Sequence, residues 1–444
     1  MKSFTTTQDM AQYEVSQDYC EPYLGATHDD LQAARFNKYD THIDKNEFFI
    51  YDDVNHKYNI YRRVEYIENP SNAYINTGIN GSMDLNFYIE FLPTELATAY
   101  KSGAGSIFGS RSAYNSRAYQ LTTYNKVSPY DAAKCGHFLC ANNYGWSDSK
   151  APTANMLLNQ KNIIKKENLI FTRADGSTFT LTSQTFTTAA TITIFQCAGA
   201  GEPAKIKLYK LQFSRGSNVL RDFIPVKNTL TNQYGLLDTV EQKFYVSPNG
   251  VEFNGGNEII EDKNGVQYRK KEYIENTNNA YIETGVYPSN STKIILKFIN
   301  KVATGGVIVG YQSPESNEYR FFNASNKTYF DIGNQRYMPE LSILSNKLYE
   351  LEIGNYYILD ILTGTKYSRT VYNNSAFSGA QIYLNRGSGS VSQNRYYYVS
   401  IYNDNILVRN YIPVQRISDS KYGLFDTINN KFYYSPDSAQ FTGG

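Results

Sequence analysis

The chain has 444 residues, enough for about three units that each bury a core at roughly 150 residues per domain. Its 43 Lys and Arg residues against 42 Asp and Glu residues leave a formal net charge of +1, which supplies no excess of cations for a phosphate backbone or an anionic membrane. Four cysteines make no disulfide framework, and no apolar run approaches the ~18 residues that span a bilayer. We therefore expect no nucleic-acid partner, no membrane insertion and no cofactor.

The aromatic fraction is 15%, with 41 Tyr residues. Tyr and Phe favour half-buried strands, so the composition predicts an all-β fold. Tyrosine also supplies the rigid, amphipathic contact area found on recognition surfaces, although a low-GC coding sequence would give the same bias.

Residues 1–45 form a distinct N-terminal arm. Thr27 as a cap, with Asp29 and Asp30 after it, predicts a short helix through residues 31–35. Residues 1–30 offer few apolar side chains to bury, so we expect the arm to become ordered on a partner.

The rest of the chain is an internal duplication. Each copy begins with a hairpin-like lead, and the second lead turns at Asn264-Gly265, a strong hairpin signal. An opening block follows, Glu-Tyr-Ile-Glu-Asn and then Asn-Ala-Tyr-Ile-x-Thr-Gly, which spans residues 65–78 and recurs 207 residues later at 272–285.

A closing block ends each copy. It reads Arg-x-aromatic-Ile-Pro-Val, Tyr-Gly-Leu-x-Asp-Thr, Lys-Phe-Tyr, Ser-Pro and Phe-x-Gly-Gly, and it spans residues 221–256 and 409–444. The shift between the copies falls from 207 to 188 residues, so the first copy carries 19 more residues, much of them around 124–137. Extra length in one copy maps to loops. Gly255-Gly256 predicts an unusual backbone conformation at the exit of the first copy.

These repeats place the first module at 46–256 and the second at 257–444. Apolar and charged residues alternate within the copies, as in Tyr349-Glu350-Leu351-Glu352-Ile353. Many short strands in a unit of roughly 190 residues are typical of sandwiches. We therefore predict an all-β fold of two tandem antiparallel β-sandwich jelly rolls with a short N-terminal arm.

The two blocks together resemble the concanavalin A-like, or laminin-G-like, jelly-roll modules that recur in structural proteins of tailed phages. The resemblance covers most of residues 64–256 and 271–444 and leaves the arm unaccounted for. It implies two curved antiparallel sheets, carbohydrate binding or virion decoration, and attachment through a separate arm.

Enzymes of that superfamily hydrolyse glycans with two carboxylates on one strand. The corresponding strand, residues 86–91, holds only Glu90, and its second-copy partner, residues 293–298, holds no acid. No Glu-x-Asp-x-Glu pattern occurs in the chain. We therefore expect a non-enzymatic protein with no catalytic residues.

Two further groups of residues are possible metal ligands. Cys135, His137 and Cys140 form a lone cluster without a second pair, and buried free thiols explain the cysteines better than a zinc site does. Asp238 and Asp426 fit a calcium site, but an Asp that leads a hairpin usually accepts backbone N–H bonds, and we favour that structural role. We predict no metal site.

The best candidate for ligand binding is the loop-like segment 142–148. Asn143, Tyr144, Trp146 and Asp148 combine an amide, two flat rings and a carboxylate, the chemistry that holds a sugar by stacking and directional hydrogen bonds. The competing interpretation is that Trp146 closes the edge of the sandwich core.

We expect a virion surface protein, made in the host cytoplasm: a head fibre, a capsid decoration protein or a tail fibre. Residues 1–45 would bind other virion proteins, and the modules would bind a host or environmental glycan. A dimer or trimer would add avidity. The alternatives are a glycan-degrading enzyme of the superfamily and a purely structural virion spacer.

Overall fold

A computed structural model describes residues 47–52, 57–97, 105–111, 117–124, 135–142, 152–198, 203–276, 279–302, 306–311, 318–324, 327–333, 335–368, 381–386 and 393–444. They divide into two compact units, Glu47–Glu258 and Ile259–Gly444. The predicted arm, residues 1–45, and its helix at 31–35 lie outside the described residues. No helix capable of crossing a bilayer occurs in the part of the chain that is described.

Within the described residues the first unit contains nineteen strands. They are β1 (Glu47–Asp52), β2 (Lys57–Arg63), β3 (Ile67–Glu68), β4 (Ile75–Ser82), β5 (Leu85–Pro93), β6 (Ser106–Arg111), β7 (Ala118–Thr122), β8 (Cys135–Ala141), β9 (Thr153–Met156), β10 (Asn162–Glu167), β11 (Ile170–Thr172), β12 (Thr178–Thr180), β13 (Thr187–Ile194), β14 (Cys197–Ala198), β15 (Ile206–Arg215), β16 (Asn218–Asn228), β17 (Tyr234–Asp238), β18 (Lys243–Tyr245) and β19 (Asn254–Gly255).

The described part of the second unit contains eighteen strands. They are β20 (Ile259–Glu261), β21 (Gln267–Lys270), β22 (Ile274–Asn276), β23 (Ile282–Glu283), β24 (Lys293–Asn300), β25 (Gly306–Tyr311), β26 (Glu318–Ala324), β27 (Lys327–Gly333), β28 (Gln335–Tyr337), β29 (Leu348–Gly354), β30 (Tyr357–Asp360), β31 (Thr365–Ser368), β32 (Tyr383–Leu384), β33 (Asn394–Asn403), β34 (Ile406–Arg416), β35 (Tyr422–Asp426), β36 (Lys431–Tyr433) and β37 (Phe441–Gly443).

Each unit is a sandwich of a larger and a smaller sheet. The first pairs a 12-stranded sheet, centred on the order β16-β15-β5-β10, with the 7-stranded sheet β4-β13-β6-β7-β8-β9, to which β14 adds in parallel on β6. The second pairs a 12-stranded sheet, centred on β34-β33-β24-β29, with the 6-stranded sheet β23-β32-β25-β26-β27-β28. All other pairings between these strands are antiparallel, so the predicted all-β fold of two tandem antiparallel sandwiches is confirmed.

The structure also places the leads and the extra length as predicted. The strands β1 and β2 form one antiparallel hairpin and β20 and β21 another, with Gly265 at φ +79° in the second turn. The link between β7 and β8 in the first unit is residues 123–134, whereas the matching link in the second unit is residues 325–326. The extra residues of the first copy therefore fall between β7 and β8, where residues 125–134 lie outside the described residues.

The core of each unit lies between its two sheets. On β5 the side chains of Phe87, Ile89 and Phe91 are buried, while Tyr88 and Glu90 between them are only half-buried. This alternation follows from the period of two along a strand. The Phe87 ring lies 5.0 Å from the ring centre of Phe108 on the opposite sheet.

The repeated blocks form one structural clamp that joins the two sheets. In the first unit, Arg221 Nε on β16 donates to the carbonyl of Thr77 on β4 (3.2 Å) and lies 3.3 Å from the buried carboxylate of Asp238 on β17. The Thr77 hydroxyl donates to the carbonyl of Ile192 on β13 (2.9 Å). Residues of the opening and closing blocks therefore recur together because they bond to each other.

The second unit repeats the same clamp at the matching positions. Arg409 Nε donates to the carbonyl of Thr284 (3.1 Å) and lies 3.5 Å from Asp426, which is fully buried. The Thr284 hydroxyl donates to the carbonyl of Ile382 (2.6 Å).

The paired glycines that end each copy have a different role from the predicted one. Neither Gly255 nor Gly256 has a positive φ. A Cβ on Gly255 would lie 2.1 Å from the ring of Tyr234, and one on Gly256 would lie 2.8 Å from the ring of Tyr66. The requirement is close approach to two aromatic rings rather than an unusual backbone conformation.

Phe87→Ala should lower the free energy of unfolding by about 3–5 kcal/mol, because it empties a buried aromatic site that the opposing sheet cannot fill. Ile163→Ala, on the exposed side of the neighbouring strand, should cost far less because Ile163 is 47% exposed. Urea unfolding followed by circular dichroism measures both. Equal losses in the two variants would contradict this placement of the core.

Candidate functional site

The outer face of the larger sheet in the first unit carries a carboxylate held by a tyrosine and a lysine. Glu90 on β5 accepts a hydrogen bond from the Tyr88 hydroxyl (2.8 Å) and lies 2.5 Å from Lys161 Nζ. Burial acts to raise the pKa of Glu90, but the contacts with Lys161 and Tyr88 outweigh it and the pKa is lowered. Burial and the bond to Glu90 raise the pKa of Tyr88 to about 12, so the phenol stays a donor.

The second unit has two such groups, side by side on β29. Glu350 accepts a hydrogen bond from the Tyr398 hydroxyl (2.8 Å) and lies 3.6 Å from Lys297 Nζ. Glu352, on the same face two positions along the strand, accepts from the Tyr357 hydroxyl, and its other oxygen lies 4.0 Å from a lysine, Lys293. We call the three groups around Glu90, Glu350 and Glu352 the Tyr–Glu–Lys triads.

A second kind of cluster stacks a cation on a pair of tyrosines. In the first unit Lys207 Nζ lies 4.3 Å from the ring centre of Tyr66, which packs edge-on against Tyr209 at 5.8 Å. Lys161 Nζ, from the triad, lies 4.8 Å from the ring centre of Tyr209. These contacts join the cluster to the triad along one face.

The duplication preserves this cluster in the second unit. The Arg395 guanidinium lies 3.8 Å from the ring centre of Tyr273, and Tyr273 lies 6.0 Å from Tyr397. Arg395 is also bonded to Glu275 (2.7 Å). Each larger sheet thus presents half-buried tyrosine rings with a cation on one ring, beside glutamates that are paired with lysines, a surface suited to stacking and hydrogen bonding.

The residues predicted to bind a ligand, Asn143, Tyr144, Trp146 and Asp148, lie outside the described residues. The chain before them is anchored, because the Asn142 N–H donates to Gln184 Oε1 (2.8 Å).

The three cysteines within the described residues, Cys135, Cys140 and Cys197, are buried free thiols, as the sequence indicated for the first two. Cys135 Sγ contacts the carbonyl of Met156 (3.0 Å), and burial raises the pKa of Cys135 to about 11. Cys140 Sγ lies 3.8 Å from the sulfur of Met83, and its pKa is raised to about 12 by burial. Within the described ranges no three His, Cys, Asp or Glu side chains are placed to share a metal ion.

Asp238 and Asp426 have the structural role that was favoured over calcium. One oxygen of Asp238 accepts the N–H groups of Asp222 and Val240 (both 3.0 Å). The matching oxygen of Asp426 accepts those of Asn410 (3.0 Å) and Ile428 (3.1 Å).

One cluster of charged side chains was missed by the sequence reasoning. On the smaller sheet of the second unit, Asp331 on β27 accepts bonds from Arg320 (2.9 Å) on β26 and from Arg336 (3.0 Å) on β28. Glu318 lies 2.8 Å from Arg320. Burial and a hydrogen bond with Asp331 raise the pKa of Glu318 to about 7 despite the arginines. The four residues are scattered in sequence, so only the strand register brings them together.

Comparisons with known proteins find little similarity. No family model matches the chain, and no curated protein matches it. Among solved structures, domains LG4-5 of the mouse laminin alpha1 chain are similar at 11% identity and a TM-score of 0.27, over 82% of this chain and 94% of that one. The fold assignment rests on the strand pairing described above.

Asp426→Ala should destabilise the protein by about 3–5 kcal/mol, because it removes the buried carboxylate that holds Arg409 and two backbone N–H groups. The exposed Asp419→Ala is the matched control and should cost less than about 1 kcal/mol. Millimolar calcium should leave the Tm of the wild type unchanged. A calcium-dependent rise in Tm that Asp426→Ala abolishes would contradict the structural role.

Stability should fall as the pH rises from about 4.5 through 7, because Glu318 binds its proton more tightly in the folded state than in the unfolded state. Glu318→Gln keeps the hydrogen-bonding shape and should flatten this part of the curve. Tm measured between pH 4.5 and 8 tests it, with Glu340→Gln as the exposed control. Identical pH profiles for the wild type and Glu318→Gln would show that Glu318 has an ordinary pKa.

Proposed function

We propose that this chain is a non-enzymatic binding protein whose two modules hold saccharides on the tyrosine-bearing outer faces of their larger sheets. The observation that carries the proposal is the recurrence of the Tyr66–Lys207–Tyr209 cluster at matching positions of the second copy. Sugars bind by stacking on flat rings and by directional hydrogen bonds, and these faces offer both.

The paired charges support a neutral ligand. Each triad glutamate has a lysine on one oxygen and a tyrosine hydroxyl on the other, so the face carries many donors and acceptors with little net charge. The whole chain has the same balance, at +1. A phosphate or sulfate site instead needs an excess of cations.

We further propose that the protein is displayed on a virion, as a head fibre, capsid decoration protein or tail fibre, with residues 1–45 binding other virion proteins. The support is the resemblance of the two sequence blocks to modules of tailed-phage structural proteins. Two modules per chain, multiplied in a dimer or trimer, would convert weak contacts into firm attachment.

One observation favours a glycan-degrading enzyme as the second candidate. Glu350 and Glu352 lie on one face of one strand, as the two carboxylates of such enzymes do. Their oxygens are engaged by Lys297, Lys293 and two tyrosines, and for this reason we prefer binding. Release of reducing ends from a polysaccharide, lost in Glu350→Gln and in Glu352→Gln, would establish the enzyme instead.

The binding proposal predicts that Tyr209→Ala combined with Tyr397→Ala weakens retention on an immobilised array of bacterial surface glycans by about tenfold or more. Replacing the same residues by Phe should retain most of the binding, because the ring remains. Tyr287→Ala is the control, since Tyr287 is 61% exposed and lies outside the clusters. Trp146→Ala, run alongside, tests the loop predicted from the sequence.

Unchanged retention of the Tyr209→Ala, Tyr397→Ala double variant would refute the role of the sheet faces. No saturable binding of the wild type to any glycan would refute the function and favour a spacer.

A further inference from the structure

A cleft of about 570 Å³ opens at one end of the first sandwich. Four parts of the chain line the cleft. They are the turn between β4 and β5, the turn between β10 and β11, the segment leading into β13, and Arg215 at the end of β15. Its volume falls within the range of roughly 300–1,000 Å³ found for small-molecule sites.

The floor of the cleft is apolar and its rim is polar. Met83 and Phe186 are buried and Leu169 is half-buried, whereas Asn168 and Thr185 on the rim are exposed. An apolar floor under a ring of amides and hydroxyls matches the two sides of a sugar, whose C–H face packs and whose hydroxyls bond.

The charges on the rim cancel. Arg215 Nε lies 3.5 Å from the carboxylate of Asp84, and these are the only charged side chains among the residues that line the cleft. The pair offers donors and acceptors without a net charge. A neutral, hydroxyl-rich ligand therefore fits better than a phosphate, which needs several cations.

The rim is held in place by bonds to the framework. The Ser82 hydroxyl donates to Asp84 (2.5 Å), and Asn168, at φ +54°, donates its N–H to the side chain of the buried Asn86 (2.7 Å). Gln184 accepts the Asn142 N–H, which orients its amide. Polar groups fixed in advance lose little freedom on binding.

The matching turns of the second unit are joined by different bonds. By strand register Asn355 matches Asn168, and its amide donates to the carbonyl of Ser289 (3.3 Å) as well as to that of Asn290. The Thr292 hydroxyl donates to Asn403, the counterpart of Arg215 (2.7 Å). The Asp84–Arg215 ion pair and the bond from Asn168 to Asn86 are therefore features of the first unit, where they shape the rim of the cleft.

We propose that this cleft is a second binding site of the first unit, for one or two residues of a neutral glycan. The ligand class rests on the proposed function, but the site is separate from the sheet faces. The first unit would then bind saccharide both on its tyrosine-bearing face and in its end cleft.

Thr185→Trp tests the cleft by filling it from the rim. Thr180→Trp, the same change at an exposed position of the edge strand β12, is the matched control. Calorimetric titration of the full chain would use neutral hexose and N-acetylhexosamine tetrasaccharides, together with their sulfated forms. Equal Tm values of the two variants and the wild type show that the fold is retained.

We expect saturable binding of a neutral tetrasaccharide that weakens at least tenfold in Thr185→Trp and is unchanged in Thr180→Trp. Asp84→Asn, which keeps the side-chain volume, should weaken it as well. If Thr185→Trp binds the tetrasaccharide with wild-type affinity, the proposed site in the cleft is wrong. The proposal that the sheet faces bind saccharides would not be affected. Preference for the sulfated form would overturn the neutral ligand, and no binding by the wild type would overturn both proposals.

Discussion

An arginine held by a buried aspartate joins the two sheets of each sandwich, and the rest of the unit depends on it. The Arg221–Asp238 and Arg409–Asp426 pairs are on the larger sheets, and each arginine bonds to a carbonyl of the smaller one. Removing the arginine leaves a fully buried carboxylate without its charged partner, which costs far more than the intact pair contributes. The high cost of losing one partner explains why the arginine and the aspartate recur together in both copies.

Because the clamp and the apolar core stabilise the sandwich from within, the outer faces of the larger sheets do not need apolar side chains. They carry tyrosines, glutamates and lysines whose charges are paired on the face itself. Such a face is well ordered and nearly neutral, so ligand binding requires little rearrangement of side chains. The copies differ instead in their turns, where Arg215 pairs with Asp84 in the first unit and Asn403 bonds to Thr292 in the second.

The sequence predicted those features that local patterns control. Period-two alternation and the repeated blocks gave the all-β class, the hairpin leads and the place of the insertion. The roles of Asp238 and Asp426 followed from turn chemistry. The triads around Glu350 and Glu352, the Glu318 cluster and the cleft could not be predicted, because their members come from different strands and turns and meet only through register. Gly255 and Gly256 showed the same limit: their pattern was visible, but the tyrosine rings that require them were not.

The most direct test of the account is a crystal structure of the full chain with a neutral tetrasaccharide bound. We predict a sugar ring stacked on the tyrosines at 209 or 397, with hydroxyls bonded to a neighbouring triad, and a second sugar in the cleft beside Arg215. A saccharide bound elsewhere, with both tyrosine faces bare at saturating concentration, would contradict the claim that the duplicated faces are binding surfaces.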